Sequence, residues 1–240
     1  MRLDNVTVVV PTRNEEHNIV AFLNSLPPWV PLVVVDASQD ATTEVIKTHR
    51  PECTQVIRHP GGVSEARQIG AEAAQTGWLL FSDADVVFPP DYFGRLGCYR
   101  GYDVIYGPKL SAGAFADYYH WFARGQGLLH RLGIPAASGS NLLISRHAFL
   151  AAGGFDLCLS CNEDTELVWR AKRRGSPVLF VPDLVVYARD HRRLERGRLR
   201  KTVHSFLRCV LLYYDLLPSR WRSRDWGYWS YGCDTGDPST

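Results

Sequence analysis

The 240-residue sequence predicts an α/β fold: an open, mostly parallel sheet with helices on both faces, followed by a basic and apolar helical tail. Three observations predict it. Short apolar runs alternate with segments of helical spacing four times before Asp85, the pattern of right-handed βαβ units. Polar clusters follow the runs directly, at Pro11 to Glu15, Asp36 to Asp40 and Asp83 to Asp85, where ligands gather in such sheets. Apolar residues at 45% and charged residues at 22% are ordinary for a globular chain, which excludes a disordered or collagen-like one.

Val6 to Val10 is a β-branched run suited to a strand buried on both faces, ending at Pro11. Asn14-Glu15-Glu16 opens a helix carrying Ile19, Val20, Phe22, Leu23 and Leu26 at helical spacing. Leu32 to Val35 is the second buried strand, and Asp40 caps a helix reaching about Thr48. Gln55 to Arg58 is a short third strand. Gly61-Gly62 turns the chain and Ser64 caps a helix with Ala66, Ile69, Gly70 and Ala73 on one face. Trp78 to Phe81 is the fourth strand. The later chain is less regular: a long amphipathic helix over Ala114 to Leu132, a strand at Asn141 to Ser145, and helices at Arg146 to Ala152 and Asn162 to Arg174. Gly175 ends the last of these. Val178 to Val181 and Leu184 to Tyr187 are late strands, and Arg196 to Leu217 a basic, then apolar, helix.

The net charge of +2 hides an asymmetry. Between Arg189 and Arg224 there are 11 Lys and Arg against three acids, whereas residues 1–188 carry 16 basic and 19 acidic side chains. A basic segment on a slightly acidic body points to an anionic surface, membrane or nucleic acid, or else to a solvated helix face. Met1-Arg2-Leu3-Asp4 runs straight into a strand pattern, unlike a secretory leader, and no apolar stretch approaches the ~18 residues of a spanning helix. The expected location is therefore cytoplasmic, at most at the inner face of a membrane. Six scattered cysteines fit reduced thiols, and Cys158-Leu-Ser-Cys161 has no second pair to make a zinc site.

Asp83-Ala84-Asp85, directly after a buried strand, is the sharpest chemical feature. Two carboxylates one residue apart in extended chain face one side and can share a hard divalent cation, magnesium or manganese, completed by diphosphate oxygens. No GxGxxG or GxxxxGK[ST] loop follows any strand, which removes the main support for a dehydrogenase or a phosphate-loop enzyme. Asn162-Glu163-Asp164 opens a helix; acids there cap the dipole or, aimed into the same cleft, serve as a general base. His191 follows the last strand, where a histidine is either an ordinary surface residue or a ligand.

Read together, Val8-Val9-Val10-Pro11-Thr12-Arg13-Asn14-Glu15-Glu16, Val34-Val35-Asp36-Ala37-Ser38-Gln39-Asp40 and Phe81-Ser82-Asp83-Ala84-Asp85 resemble the three opening motifs of family-2 glycosyltransferases. Gly139-Ser140-Asn141, Gly153-Gly154-Phe155-Asp156 and Asn162-Glu163-Asp164-Thr165-Glu166-Leu167 resemble that family's later motifs, in the same order. The resemblance runs from about Val6 to His191. It implies a GT-A fold over residues 1–195, with a nucleotide-binding half (1–110) and an acceptor half (111–195), and residues 196–240 as the tail. It further implies a nucleoside-diphosphate sugar donor, with UDP the first expectation. Pro11, Arg13, Glu15, Asp36 and Arg67 match nucleotide-side positions, and Asp83 the ribose and diphosphate. Asp85, with Asp83 and His191, matches the metal site, and Asp164 the catalytic base, with Glu163 also a catalytic position. Many members carry a second acid after the position of Asp36; here it is Ala37.

These expectations make a metal-dependent, inverting transferase whose acceptor is a sugar, a lipid-linked sugar or another envelope-glycan precursor, with membrane contact through the tail. A retaining transferase shares the fold. A nucleotidyltransferase would share the metal but usually has a glycine-rich basic loop after its first strand, absent at Pro11 to Glu15. A nucleic-acid module would leave Asp83, Asp85 and Asp164 without a purpose and opposed to phosphate, so no nucleic-acid partner is expected.

Overall fold

The computed structural model describes residues 5–195, 207–214, 216, 217 and 222. Its first half follows the sequence pattern closely: β1 (Val6–Thr12), α1 (Glu16–Ser25), β2 (Leu32–Asp36), α2 (Thr42–His49), β3 (Thr54–Arg58), α3 (Val63–Ala73) and β4 (Trp78–Phe81). Every residue of β1 and β2 is buried, as uninterrupted β-branched runs require when both faces of a sheet are covered. Along β1, Val6, Val8 and Val10 enter one core layer with Ile19 and Phe22 of α1. Val9 turns to the other, with Ala71 of α3.

Beyond β4 come β5 (Val86–Val87), α4 (Tyr92–Arg95), β6 (Val104–Tyr106), β7 (Lys109–Leu110), α5 (Ala116–Arg131), β8 (Leu142–Ser145), α6 (Arg146–Ala152), α7 (Glu163–Arg173), β9 (Val178–Phe180), β10 (Val186–Ala188) and α8 (Arg192–Glu195). The main sheet has seven strands in the order β3-β2-β1-β4-β8-β6-β9. It is parallel except at β8, which runs antiparallel to both β4 and β6. A second sheet, β5-β10-β7, was not anticipated. Its strands are two or three residues long, too short to show an alternation.

Several expected details shift. β1 runs through Pro11 to Thr12, since proline's fixed φ suits extended chain. Asp40 accepts from the Thr42 amide (3.1 Å) and hydroxyl, but the N-cap position is Ala41. Ser64 lies inside α3, not at its cap; its hydroxyl donates to the Leu159 carbonyl, and Glu65 accepts from the Gly62 amide at 3.2 Å instead. The last strand begins at Val186, not Leu184, because Leu184 is in a turn bonded back to Val181. Gly175, at φ 93°, ends α7 as expected.

Of the tail, residues 207–213 are helical. Leu212 and Leu217 pack with Leu159 and Trp169, and the Tyr213 ring meets Trp169 edge-on at 5.0 Å. This part of the apolar stripe covers α7. Residues 196–206 and 223–240, with Arg196, Arg198, Arg200, Lys201, Trp226 and Trp229, lie outside the described residues, as does Trp221.

The two sheets are joined by a buried relay. The Tyr92 hydroxyl donates to Asn141 Oδ1 (2.5 Å), and Asn141 Nδ2 donates to the Leu184 carbonyl (2.6 Å). Gly107 leaves room for that carbonyl: a Cβ there would sit 1.9 Å from it. Gly107→Ala should therefore destabilise the fold by about 1–3 kcal/mol, the usual cost of overpacking. Urea unfolding should show this as a lower midpoint at unchanged slope.

Candidate functional site

The carboxyl ends of the parallel strands carry the polar clusters, and Asp36 organises the first. It is buried, at 1% exposure. Its Oδ1 accepts from the Thr12 hydroxyl (2.7 Å) and from the amide and hydroxyl of Ser38 (3.1 and 2.5 Å), its Oδ2 from the Thr43 hydroxyl (2.6 Å) and from Arg58. Burial alone would raise its pKa, but these bonds outweigh it and hold the carboxyl below its ordinary range. Asp36 thus builds the wall between β1, β2 and α2. The loop after β1 is tied to it: Asn14, in the left-handed region at φ 55°, accepts from the Gln39 amide (2.8 Å), and the Glu15 amide donates to Thr42 (2.9 Å). Pro11 is buried, Arg13 and Glu15 half-buried. Glu15 accepts from Asn18, which also donates to Asp190 at 3.3 Å, so the segment after β10 returns to this loop.

Arg67 joins the second and third clusters. Its guanidinium donates to Asp83 Oδ1 (2.8 Å) after β4 and to Glu163 Oε1 at the start of α7. The Arg67 side chain is 5% exposed. It lies across the backbone of Gly139, where a Cβ would be 2.3 Å from the guanidinium carbon. The other oxygen of Asp83 accepts from the Ser140 hydroxyl. Asp164 is half-buried and is held by backbone: Oδ2 accepts from the Gly139 amide (2.5 Å), Oδ1 from Thr165 (2.6 Å). Asn162, at φ 63°, begins α7 so that both acids stand in its first turn. Burial and the adjacent Asp164 push Glu163 up to about 7, with Arg67 opposing. Burial likewise raises Asp164, against Arg67 and the two amides. Burial also pushes the Cys161 thiol up to about 11, consistent with an inert CxxC.

The small sheet assembles the rest. Asp85 precedes β5, and its carbonyl accepts from the Arg189 amide after β10 (2.8 Å). Lys109, on β7, reaches both Asp85 oxygens (3.0 and 3.1 Å) and lies 3.9 Å from Asp83 Oδ2. Lys109 was missed in the sequence because a two-residue strand carries no pattern to flag it. His191 is not gathered with Asp83 and Asp85: among the described residues no three His, Cys, Asp or Glu side chains group to hold a metal. Its Nε2 is 3.3 Å from the Ser111 hydroxyl and its Nδ1 3.4 Å from that of Tyr119, with the Phe115 and Tyr119 rings beside it. The chain leaving β10 turns His191 toward α5, and Lys109 takes up Asp85.

Residues 7–97, from β1 through the Asp83–Asp85 turn to α4, match the family model described as glycosyl transferase family 2. That match and the relatives below support a family-2 glycosyltransferase. The succinoglycan biosynthesis protein ExoA of Rhizobium meliloti is 30% identical over 192 residues, 70% of this chain and 58% of that protein. The chain thus spans little more than half of that relative's length. The undecaprenyl-phosphate 4-deoxy-4-formamido-L-arabinose transferase of Pectobacterium atrosepticum is 25% identical over 90% of this chain and 67% of its own. Among solved structures, the mannosyltransferase PcManGT of Pyrobaculum calidifontis, in complex with GDP-Man and Mn2+, superposes with a TM-score of 0.67. The match covers 91% of this chain and 72% of that one. At 19% identity it is the GT-A fold that the two share.

Glu163 gives the protein a pH signature. Between the ordinary glutamate value of 4.5 and about 7 the folded form holds a proton that the unfolded chain has lost, so stability falls as pH rises through this window. Asp164 shifts the same way. Urea midpoints should drop from pH 5 to pH 7.5, and Glu163→Gln should flatten that slope.

Proposed function

We propose that the protein transfers a sugar from a nucleoside-diphosphate donor to an acceptor hydroxyl with inversion at the anomeric carbon. The observation that carries this reading is the Arg67 bridge, which ties the donor-side acid Asp83 to the acid pair at the head of α7. The acceptor oxygen attacks the anomeric carbon, the bond to the diphosphate breaks, and the nucleoside diphosphate leaves with the electron pair. Asp164 takes the hydroxyl proton. Burial raises its pKa above the ordinary aspartate range, which makes it a stronger base. Glu163 and Arg67 hold α7 against the donor side, so that base and leaving group keep their separation.

A divalent metal fits the residues present. Among the described residues, Asp83, Asp85, Glu163 and Asp164 are four carboxylates against two cations, Arg67 and Lys109. A diphosphate entering such a site meets repulsion unless positive charge comes with it. Asp83 and Asp85 offer the hard oxygens that hold magnesium or manganese alongside phosphate. A metal held there would neutralise charge on the departing diphosphate.

The acceptor is proposed to be lipid-linked or another envelope-glycan precursor, met at the inner face of a membrane. Support comes from α5, whose 16 residues include just one buried side chain, Gln126. Trp121 (61%) and Leu128 (59%) stand exposed on it and Leu132 (67%) just past its end, while Phe115 and Tyr119 at its start border His191. Aromatic and apolar side chains beside the exposed Arg124 and Arg131 suit a lipid interface. Among the described residues no helix is long and apolar enough to cross a membrane.

Calorimetry with UDP, GDP, CDP and dTDP, in manganese and then in chelator, tests the donor site; tight, metal-dependent binding of one of them is expected, and none binding would sink the reading. Asp164→Asn should lose about 10²–10⁴-fold in turnover while binding the same nucleotide. In flotation with anionic phospholipid vesicles the full chain should float, and Trp121→Ala with Leu128→Ala should float less. A chain that stays at the bottom would remove the membrane from the proposal.

A further inference from the structure

Among the described residues, Lys109 is the cation at the site that can leave its place. Arg67 is fixed: its guanidinium is buried, donates to carboxylates on two elements and lies flat on Gly139. Lys109 has its backbone fixed instead. Strand β7 pairs in parallel with β10, Lys109 opposite Val186. Beyond the backbone it has a four-carbon stem with a freely rotating ammonium. That ammonium engages both oxygens of Asp85, at 3.0 and 3.1 Å, and approaches Asp83 at 3.9 Å. It stands where a second cation on these carboxylates would have to stand.

We propose that Lys109 is an exchangeable counter-ion: it holds Asp85 and Asp83 in the donor-free protein, yields them to a divalent cation as the donor enters, and turns its ammonium to the donor's diphosphate. The inference rests on the donor reading above. An ammonium and a doubly charged ion sharing one half-buried carboxylate repel strongly, with little solvent to screen them. Arg67 cannot vacate, so Lys109 does. The stem keeps the released ammonium in the same pocket, where the diphosphate is the anion that arrives. A lysine ammonium is ordinarily protonated well above neutral pH, so its charge goes wherever the side chain goes. Divalent cation and nucleotide then bind with a synergy that runs through Lys109, because each makes the other's partner available.

The test is manganese binding followed by the EPR signal of the free ion, on the full chain, without nucleotide and with UDP or GDP. Wild type should bind manganese weakly alone and far more tightly with the nucleotide that calorimetry selects. Lys109→Met should bind manganese alone about tenfold more tightly, and nucleotide in saturating manganese about tenfold more weakly. Lys109→Arg, which keeps the charge, should stay close to wild type in manganese alone. Should the methionine variant fail to fold by near-ultraviolet circular dichroism, Lys109→Gln makes the same neutralisation with a polar side chain. If manganese binds wild type with nucleotide but the neutral variants gain nothing in its absence, the exchange is overturned and the donor reading stands. If manganese does not bind wild type even with either nucleotide, both fall.

Discussion

A single arginine, buried to 5% exposure, spans three parts of the chain that are far apart in sequence: α3 supplies it, the turn after β4 and the head of α7 receive it. Much of the site's geometry follows from satisfying that guanidinium. Two carboxylates must come to it, since a buried charge without partners costs several kcal/mol. The segment passing beneath must lack a side chain, which is why residue 139 is glycine. Once Gly139 is pressed against Arg67, its amide is aimed at Asp164 and the next residue, Ser140, reaches Asp83. The acids on α7 and the acid after β4 are therefore registered to one another through a shared cation and adjoining backbone. Loop length alone would not do it.

How much of this could be read beforehand follows the length of each element. Strands β1, β2 and β4 are four to seven residues long and buried, and their residues announce them. The acids that end them, and the Asn162-Glu163-Asp164 helix start, were legible for the same reason: each sits at a boundary that the pattern defines. Arg67 was legible only through the family motif, since nothing in a helical repeat says that an arginine points inward. The strands of the small sheet were not legible, because two residues cannot show a period. Lys109 and the true surroundings of His191 depend on that sheet. Capping failed at Ser64 for a tertiary reason: its hydroxyl found the Leu159 carbonyl, 95 positions away in sequence, and Glu65 was left to close the helix.

The two long helices of the later chain are opposites in how they are held. Helix α7 buries six of its 11 residues and takes the helical part of the tail against Trp169. Helix α5 is longer and buries one, Gln126, whose amide donates to the Ala136 carbonyl at 2.7 Å. Tyr106 and Phe180 give it a further foothold through His130. A helix this exposed draws little of its stability from the core, so its sequence is free to answer to whatever it meets outside.

The reversed strand of the main sheet, β8, has a consequence for how such a protein can change. Because β8 runs against its neighbours, it starts at the edge where β1, β2 and β4 finish, and Gly139 to Asn141 enter the cleft as a strand beginning. Entry and exit loops thus converge on one rim, some from the first half of the chain and some from the second. Insertions or substitutions among the later loops can remodel one side of the cleft while the opening βαβ units stay as they are. A lineage built on this plan could acquire new partners piecemeal, without refounding the half that it inherited.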